Sequence, residues 1–138
     1  MKDLEQLRKI YDKTDGYCHL CHKKLSFINH GRRGSKGAWH RDHSLARANG
    51  GSNHLNNFYP ACIDCNEQKS TYSAKSVRNA NGLTRAPHSR RKKEKLKRQY
   101  ANNGMIIGGL LGAILGPEGA IIGAIVGRAI GSDSAPRR

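Results

Sequence analysis

Two pairs of cysteines have the spacing most typical of a metal site in this chain. Cys18 and Cys21 form one Cys-x-x-Cys pair, and Cys62 and Cys65 form a second. Four thiolates in two such pairs are typical ligands of structural zinc, which binds them tetrahedrally. We therefore expect one structural Zn²⁺ held by all four sulfurs. Two disulfides, or four free buried thiols, are the alternatives.

Polar side chains suited to hydrolysis lie in the long interval between the two pairs. The run AWHRDH contains His40, Asp42 and His43. Imidazole titrates closer to neutral pH than any other side chain, and a carboxylate is a hard oxygen ligand for divalent cations. A simple zinc finger does not need so long an interval, so we expect the zinc to frame a site that includes these residues.

Two strands and a helix must position these side chains. The runs AWHRDH (38–43) and NFYPAC (57–62) predict short strands, and the connector contains the turn-rich stretch 49–53, Asn-Gly-Gly-Ser-Asn. The strands can therefore pair as an antiparallel hairpin. The segment from Asn66 to about Ser76 has few helix breakers and predicts a helix. This order brings the end of the first strand near Cys65 and Asn66.

Two further segments frame the hairpin. Residues 1–14 predict a packing helix, because four apolar side chains recur at helical spacing and Asp15 and Gly16 then end the pattern. The four are Leu4, Leu7, Ile10 and Tyr11. The stretch from His30 to Gly37 is rich in Gly, Arg and Lys, which predicts an exposed basic loop.

The same residues resemble the signature of the HNH endonuclease family. The matching positions are Trp39-His40-x-Asp42-His43, Gly50-Gly51, Asn57 and Cys62-x-x-Cys65-Asn66-x-x-Lys69. The resemblance covers residues 17 to about 75. It is closest to members with zinc knuckles around the active site, of which recombination endonuclease VII is an example. It implies an α+β fold, a small ββα-metal (His-Me finger) domain.

The resemblance also implies a role for each matching residue. Asp42 and Asn66 would hold one catalytic divalent cation, Mg²⁺ or Mn²⁺, on hard oxygen ligands that leave positions open for water and phosphate. His43 would be the general base, because it points to the opposite face of the strand from Asp42. Asn57 would orient His43 through a hydrogen bond. His40 would contact phosphate or support the metal, or else be an ordinary strand histidine.

The charge of the chain indicates a polyanionic partner. It carries 25 Lys and Arg against 10 Asp and Glu, a formal net charge of +15. A field of one sign attracts phosphates, so nucleic acid, DNA above all, is the first candidate and an anionic membrane the second. The basic block 90–98 would bind phosphates without reading bases, or would simply be solvated. Lys69 could contact the DNA backbone or solvent.

The first 16 residues contain no apolar run typical of a secretory signal, so we expect a reducing cytoplasmic location. Disulfides are disfavoured in such a compartment, which favours the zinc interpretation of the cysteines. Domain boundaries are expected as 1–76 for the nuclease domain, 77–103 for a basic linker, 104–131 for a hydrophobic segment and 132–138 for a tail.

The hydrophobic segment 104–131 has the pattern of two glycine zippers. Glycines recur at every fourth residue in two sets separated by Pro117-Glu118. They are Gly104, Gly108, Gly112, Gly116, Gly119, Gly123, Gly127 and Gly131. Such stripes allow close helix contact in membranes. A helical hairpin, a single kinked span and a soluble segment that self-associates or folds back on the nuclease are the alternatives, so membrane association of the chain is an option.

Three functions are consistent with these features. The first is a metal-dependent endonuclease that hydrolyses DNA phosphodiester bonds. The second is a non-catalytic zinc module that binds nucleic acid through charge alone. The third is a toxin or defence effector whose tail engages a membrane and whose payload is the nuclease. The sequence leaves DNA against RNA, the cutting mode and the oligomeric state open.

Overall fold

The computed structural model describes residues 1–102 and combines helices with a small antiparallel sheet, an α+β arrangement. Chain contacts divide the protein into a unit of residues 1–90 and a unit of residues 91–138. The helices and strands are α1 (Lys2–Asp12), β1 (Trp39–His43), β2 (Phe58–Cys62), α2 (Ile63–Lys69), α3 (Ala74–Ala80) and α4 (Arg90–Asn102).

Helix α1 forms where apolar spacing predicts it. Leu7 and Ile10 are buried, whereas Leu4 is exposed. The chain turns out of the helix at Asp15 and Gly16, which both have positive φ. A Cβ atom at Gly16 would lie 2.5 Å from the Tyr11 hydroxyl oxygen, so glycine also allows the Tyr11 side chain to pack closely against the backbone. The predicted packing helix is confirmed.

Strands β1 and β2 pair antiparallel, as the sequence predicts. Trp39 lies opposite Cys62 and His43 lies opposite Phe58, so every residue of each strand has a partner in the other. The connector 44–57 returns as a compact loop. Within it Gly51 has no space for a side chain, because a Cβ atom would lie 1.8 Å from the Leu45 carbonyl oxygen. The hairpin therefore presents His43 at the start of a tightly folded loop.

The helix after the hairpin differs from its expected range of Asn66 to about Ser76. Helix α2 begins at Ile63 and ends at Lys69, because Ser70 has a φ of 46° and leaves the helix. A second helix, α3, starts afresh at Ala74, where the Ser73 side chain accepts a hydrogen bond from the Ser76 backbone N–H. The expectation of one continuous helix is wrong.

Residues beyond 76 belong to the folded unit, contrary to the expected linker that starts at residue 77. Val77 packs against the core. The Asn81 amide donates to the Leu20 carbonyl at 3.0 Å, and His22 Nε2 donates to the Arg85 carbonyl at 2.9 Å. The first unit therefore extends to residue 90, since α3 and the segment after it cover the first cysteine pair.

A small hydrophobic core lies between α1, the hairpin and α3. Its buried members are Leu7, Ile10, Cys18, Leu20, Leu25, Trp39, Phe58, Ala61 and Ala74. The Trp39 side chain is fully buried, and Tyr11 and Phe27 pack against it at ring distances of 5.5 and 6.4 Å. Small domains rarely gain enough stability from such a core alone, so a bound metal would add a needed cross-link.

Helix α4 carries the basic block, which is helical over its whole length. Glu94 is the single acidic residue among seven Lys and Arg residues in Arg90–Asn102. The glycine-zipper segment 104–131 and the tail 132–138 lie outside the described residues. Over residues 1–102, no helix combines the length and the apolar character that crossing a bilayer requires.

Candidate metal centre and surrounding residues

The fold brings all four cysteines together. The sulfur atoms of Cys18, Cys21, Cys62 and Cys65, hereafter the cysteine cluster, lie within 4.8 Å of one another. Two of them, Cys21 Sγ and Cys62 Sγ, are 3.8 Å apart. All four are free cysteines. The predicted meeting of the two pairs is confirmed, and the disulfide alternative is wrong.

The cluster geometry fits a tetrahedral zinc ion. Zinc–sulfur bonds of about 2.3 Å place tetrahedral sulfurs about 3.8 Å apart, as the Cys21 and Cys62 sulfurs are. A disulfide would need about 2.05 Å between sulfurs. Among residues 1–102, this is the one group of three or more Cys, His, Asp or Glu side chains close enough to share an ion.

The first pair sits in a tight turn that points sulfur toward backbone donors. The Leu20 N–H donates to Cys18 Sγ at 3.4 Å, and the Cys18 N–H donates to the Lys23 carbonyl at 2.8 Å. His22 adopts a φ of 62° directly after Cys21, which closes the turn. The second pair spans a junction, since Cys62 ends β2 and Cys65 lies in α2.

The four sulfurs are close enough to hydrogen-bond to one another, and these contacts shift the pKa values of Cys18 and Cys21 in opposite directions. Hydrogen bonds to the other three sulfurs, with burial added, raise the pKa of Cys18. Hydrogen bonds to the same group lower the pKa of Cys21. A first thiolate therefore forms readily and the last forms with difficulty, because negative charges accumulate in one place. A divalent cation removes this repulsion and would allow all four thiols to ionise.

His43 ends β1 and is held on both sides. Its ring packs against Phe58 at 4.6 Å between centroids, and Nε2 lies 3.0 Å from Asn53 Oδ1. An amide oxygen only accepts, so Nε2 carries the proton and Nδ1 keeps its lone pair. Asp42 points to the opposite face, as the strand pattern predicts. His43 is half-buried and therefore accessible to solvent on its remaining side.

Asn57 does not orient His43 directly, contrary to its expected role. Its Oδ1 accepts from the Leu45 N–H at 2.9 Å, and its Nδ2 donates to the carbonyls of Leu45 and Ser52 at 3.0 and 2.9 Å. Asn57 thus ties together the two ends of the loop that follows His43. Asn53, inside this loop, makes the direct contact. Nothing in the sequence favours Asn53 for this contact, because the turn-rich stretch alone does not determine which way the Asn53 side chain points.

Asp42 is enclosed, although the expected role of a cation ligand requires an open position. The residue is 4% exposed. His19 Nε2 donates to its Oδ2 at 2.7 Å, and Lys69 Nζ lies 3.1 Å from its Oδ1. Both oxygens are therefore bound by protein donors on the side of β1 that α2 covers. This arrangement does not fit a solvent-accessible site for a divalent cation on Asp42 and Asn66.

His19 is the main residue that the sequence did not single out. It is fully buried between Cys18 and Cys21, its ring stacks on Tyr59 at 5.2 Å, and its Nδ1 lies 3.4 Å from Arg78 Nη1. Burial lowers the pKa of His19. A neutral ring with the proton on Nε2 fits both contacts, since it accepts from Arg78 and donates to Asp42. Its position inside a Cys-x-x-Cys pair was the available signal.

Comparison with family models, with curated proteins and with solved structures finds no match to this chain.

The two other predicted site residues lie apart from the Asp42 contacts. The side chain of Asn66, in the middle of α2, is half-buried and has no hydrogen-bond partner within residues 1–102. His40 is half-buried at the other end of β1, with its ring 6.1 Å from that of His30. Lys69 is 1% exposed, so it contacts neither solvent nor a DNA backbone, contrary to both expectations.

Basic side chains surround the hairpin on its exposed surfaces. In the predicted basic loop His30–Gly37, residues 31–36 are exposed and the two end residues are half-buried, and Arg33 pairs with Glu67 on α2. Arg41 lies on the same face as His43, with its guanidinium 5.8 Å from the Phe58 ring and 3.5 Å from Asp3. Arg47 is exposed in the connector. The surface near His43 can therefore attract phosphate groups.

Proposed function

We propose that this chain is a zinc-stabilised endonuclease of the HNH type that hydrolyses DNA phosphodiester bonds, with His43 as the general base. The observation that carries the proposal is the arrangement of His43. Its imidazole ends the first strand of the hairpin and hydrogen-bonds through Nε2, whereas Nδ1 has no hydrogen-bond partner within residues 1–102. The cysteine cluster joins the first cysteine pair to the β2–α2 junction.

In the proposed reaction His43 prepares the nucleophile. Nδ1 accepts a proton from a water molecule as the water oxygen attacks phosphorus, the bond from phosphorus to the 3′ oxygen breaks, and the departing 3′ oxygen takes up a proton from solvent. The Asn53 contact at Nε2 fixes the tautomer that leaves Nδ1 basic, and it stabilises the imidazolium once the proton has moved. The Phe58 ring limits rotation of the imidazole. The chain thus supplies a fixed base.

The resemblance also implies a divalent cation on the scissile phosphate. His19 and Lys69 already bind both Asp42 oxygens. Of the two expected ligands, Asn66 is therefore the one whose side chain lacks a protein partner in residues 1–102.

DNA is the proposed substrate because of charge and its distribution. The chain carries a formal net charge of +15, and the exposed basic side chains around the hairpin include Arg41 on β1 and Arg47 in the connector. Such side chains contact phosphates irrespective of base sequence, so cleavage should show little sequence preference and should weaken as salt rises.

A cleavage panel tests the proposal. Purified full-length protein loaded with zinc is incubated with supercoiled, linear, branched and single-stranded DNA and with RNA, each with Mg²⁺, Mn²⁺ or neither. We expect cleavage of at least one DNA substrate under at least one of these conditions. Binding without cleavage under every condition would contradict the proposal.

A non-catalytic zinc-dependent module that binds nucleic acid is the second candidate. The enclosed Asp42 carboxylate favours it, because the cation that the resemblance implies would have to displace Lys69 or His19. The two candidates share the cysteine cluster and the basic surface. They differ in one result of the panel, since the module would retard DNA without producing new ends.

Asn53→Ala should lower the cleavage rate by about fivefold, because an oriented hydrogen bond is worth about 1 kcal/mol. Asn56→Ala is the matched control, since Asn56 is exposed in the same connector. Single-turnover rates on a saturating substrate measure the effect. An Asn53→Ala rate equal to that of Asn56→Ala would show that the Asn53 contact does not orient the base.

A further inference from the structure

Lys69 is a buried lysine at the C-terminal end of α2. Its Nζ donates to the His43 carbonyl at 2.7 Å and lies 3.1 Å from Asp42 Oδ1. The residue is 1% exposed, so both interactions occur away from water. The ammonium therefore bridges the last two residues of β1 to the end of the helix.

A buried ion pair of this kind is poorly explained by stability alone. Removing an ammonium and a carboxylate from water is costly, and apolar residues of similar size often stabilise a protein as well or better. An apolar side chain could not form directional hydrogen bonds to these two oxygens. The donors of Lys69 fix one backbone carbonyl and one carboxylate at defined positions relative to α2.

A residue near each cysteine pair contacts the Asp42 carboxylate. His19 lies between Cys18 and Cys21 and donates to Asp42 Oδ2 at 2.7 Å. Lys69 follows Cys65 by one helical turn in α2 and contacts Asp42 Oδ1. A metal that joins the two cysteine pairs would therefore also fix the two donors that hold Asp42.

We propose that Lys69 is a positioning residue for His43, and that with His19 it transmits the geometry of the cysteine cluster to the end of β1 through Asp42. The proposal rests on the proposed function for its effect on cleavage. Its structural part does not, because the bridge acts on the His43 backbone and hence on the contact between His43 Nε2 and Asn53.

The test compares Lys69→Met with Lys69→Arg and with the control Lys75→Met, whose lysine is exposed on α3. Lys69→Met should lower kcat by about 10- to 100-fold, because small misplacements of a reacting group have effects of this size. KM for DNA should stay within about twofold, since Lys69 is buried and does not contact substrate. Lys69→Arg should recover part of kcat.

A second readout is independent of cleavage. Imidazole ¹⁵N shifts of the zinc-loaded full chain, assigned to His43 by comparison with His43→Ala, report its tautomer. Wild type and Lys75→Met should hold the Nε2–H form, whereas Lys69→Met should show a mixture. A folded Lys69→Met protein with a wild-type kcat and tautomer would overturn the proposal.

A double variant covers the case in which Lys69→Met does not fold. Asp42→Asn with Lys69→Met removes both charges together, so no unpaired carboxylate stays buried. We expect this protein to fold and to lose the single tautomer of His43. Retention of the Nε2–H form in the double variant would overturn the inference, whereas absence of cleavage by wild type would overturn only the proposed function.

Discussion

His43→Ala is expected to lower the rate of phosphodiester cleavage by about 10²- to 10⁴-fold, the range typical of losing a general base. The imidazole is half-buried and contacts the Phe58 ring and the Asn53 side chain, so its removal leaves the backbone register of the hairpin intact. Zinc content and the far-UV circular dichroism spectrum should therefore match wild type. Single-turnover cleavage on the best substrate of the panel measures the loss.

His54→Ala is the control for this substitution. His54 is an exposed histidine in the same connector, so its replacement removes the same kind of side chain outside the proposed site. Its rate should equal that of wild type. Equal activity of His43→Ala and wild type would assign the proton transfer to another group and would remove the central residue of the mechanism.

Removal of the metal should have the second large effect, because it should unfold the domain. Structural zinc contributes on the order of 10 kcal/mol to folding of small zinc domains, which is comparable with the total stability of a small domain. The core of residues 1–90 is small, and the cysteine cluster joins the turn that holds the first cysteine pair to the β2–α2 junction. Cys65→Ser should therefore abolish both the cooperative thermal transition and cleavage.

Asp64→Ser separates loss of a ligand from a general change at the start of α2. Asp64 is exposed and precedes Cys65 directly, so its replacement should leave the thermal transition and zinc content close to wild type. Chelator treatment of wild type should reproduce the Cys65→Ser result, and added zinc should reverse it. A cooperative transition that persists in the zinc-free protein would show that the core is sufficient alone.

Much of the framework is predictable because its signals are local. Apolar spacing around Leu7 and Ile10 indicates α1, and Asp15 and Gly16 mark its end. The spacing of the cysteines indicates a shared metal before any contact between the two pairs is known. Alternation along β1 also predicts that Asp42 and His43 face opposite sides, as their contacts with His19 and Phe58 confirm.

The residues that contact Asp42 could not be predicted from local sequence signals. His19 and Lys69 are distant in sequence from Asp42, and a lysine is almost never fully buried unless it is paired. Their burial depends on how α2 and the turn that holds the first cysteine pair pack on one side of the hairpin. A family pattern indicates which residues are near a site, but it does not indicate whether their oxygens are already bound by other side chains.

The break between α2 and α3 shows the limit of propensity. The segment from Asn66 to Ser76 contains no glycine or proline, so local composition favours a continuous helix. Tertiary contacts decide otherwise, because α3 must turn to bring Ala74 and Val77 onto the core. Ser70 adopts a positive φ and Ser73 caps the next helix to allow this turn.

The most direct test of the account is a zinc titration of zinc-free full-length protein followed by single-turnover DNA cleavage in excess Mg²⁺. If the cysteine cluster holds the hairpin and α2 so that His43 can act, cleavage should rise with added zinc and reach a plateau at one zinc per chain. His43→Ala should take up the same zinc and stay inactive. Cleavage that is independent of zinc, or equal in both proteins, would contradict the account.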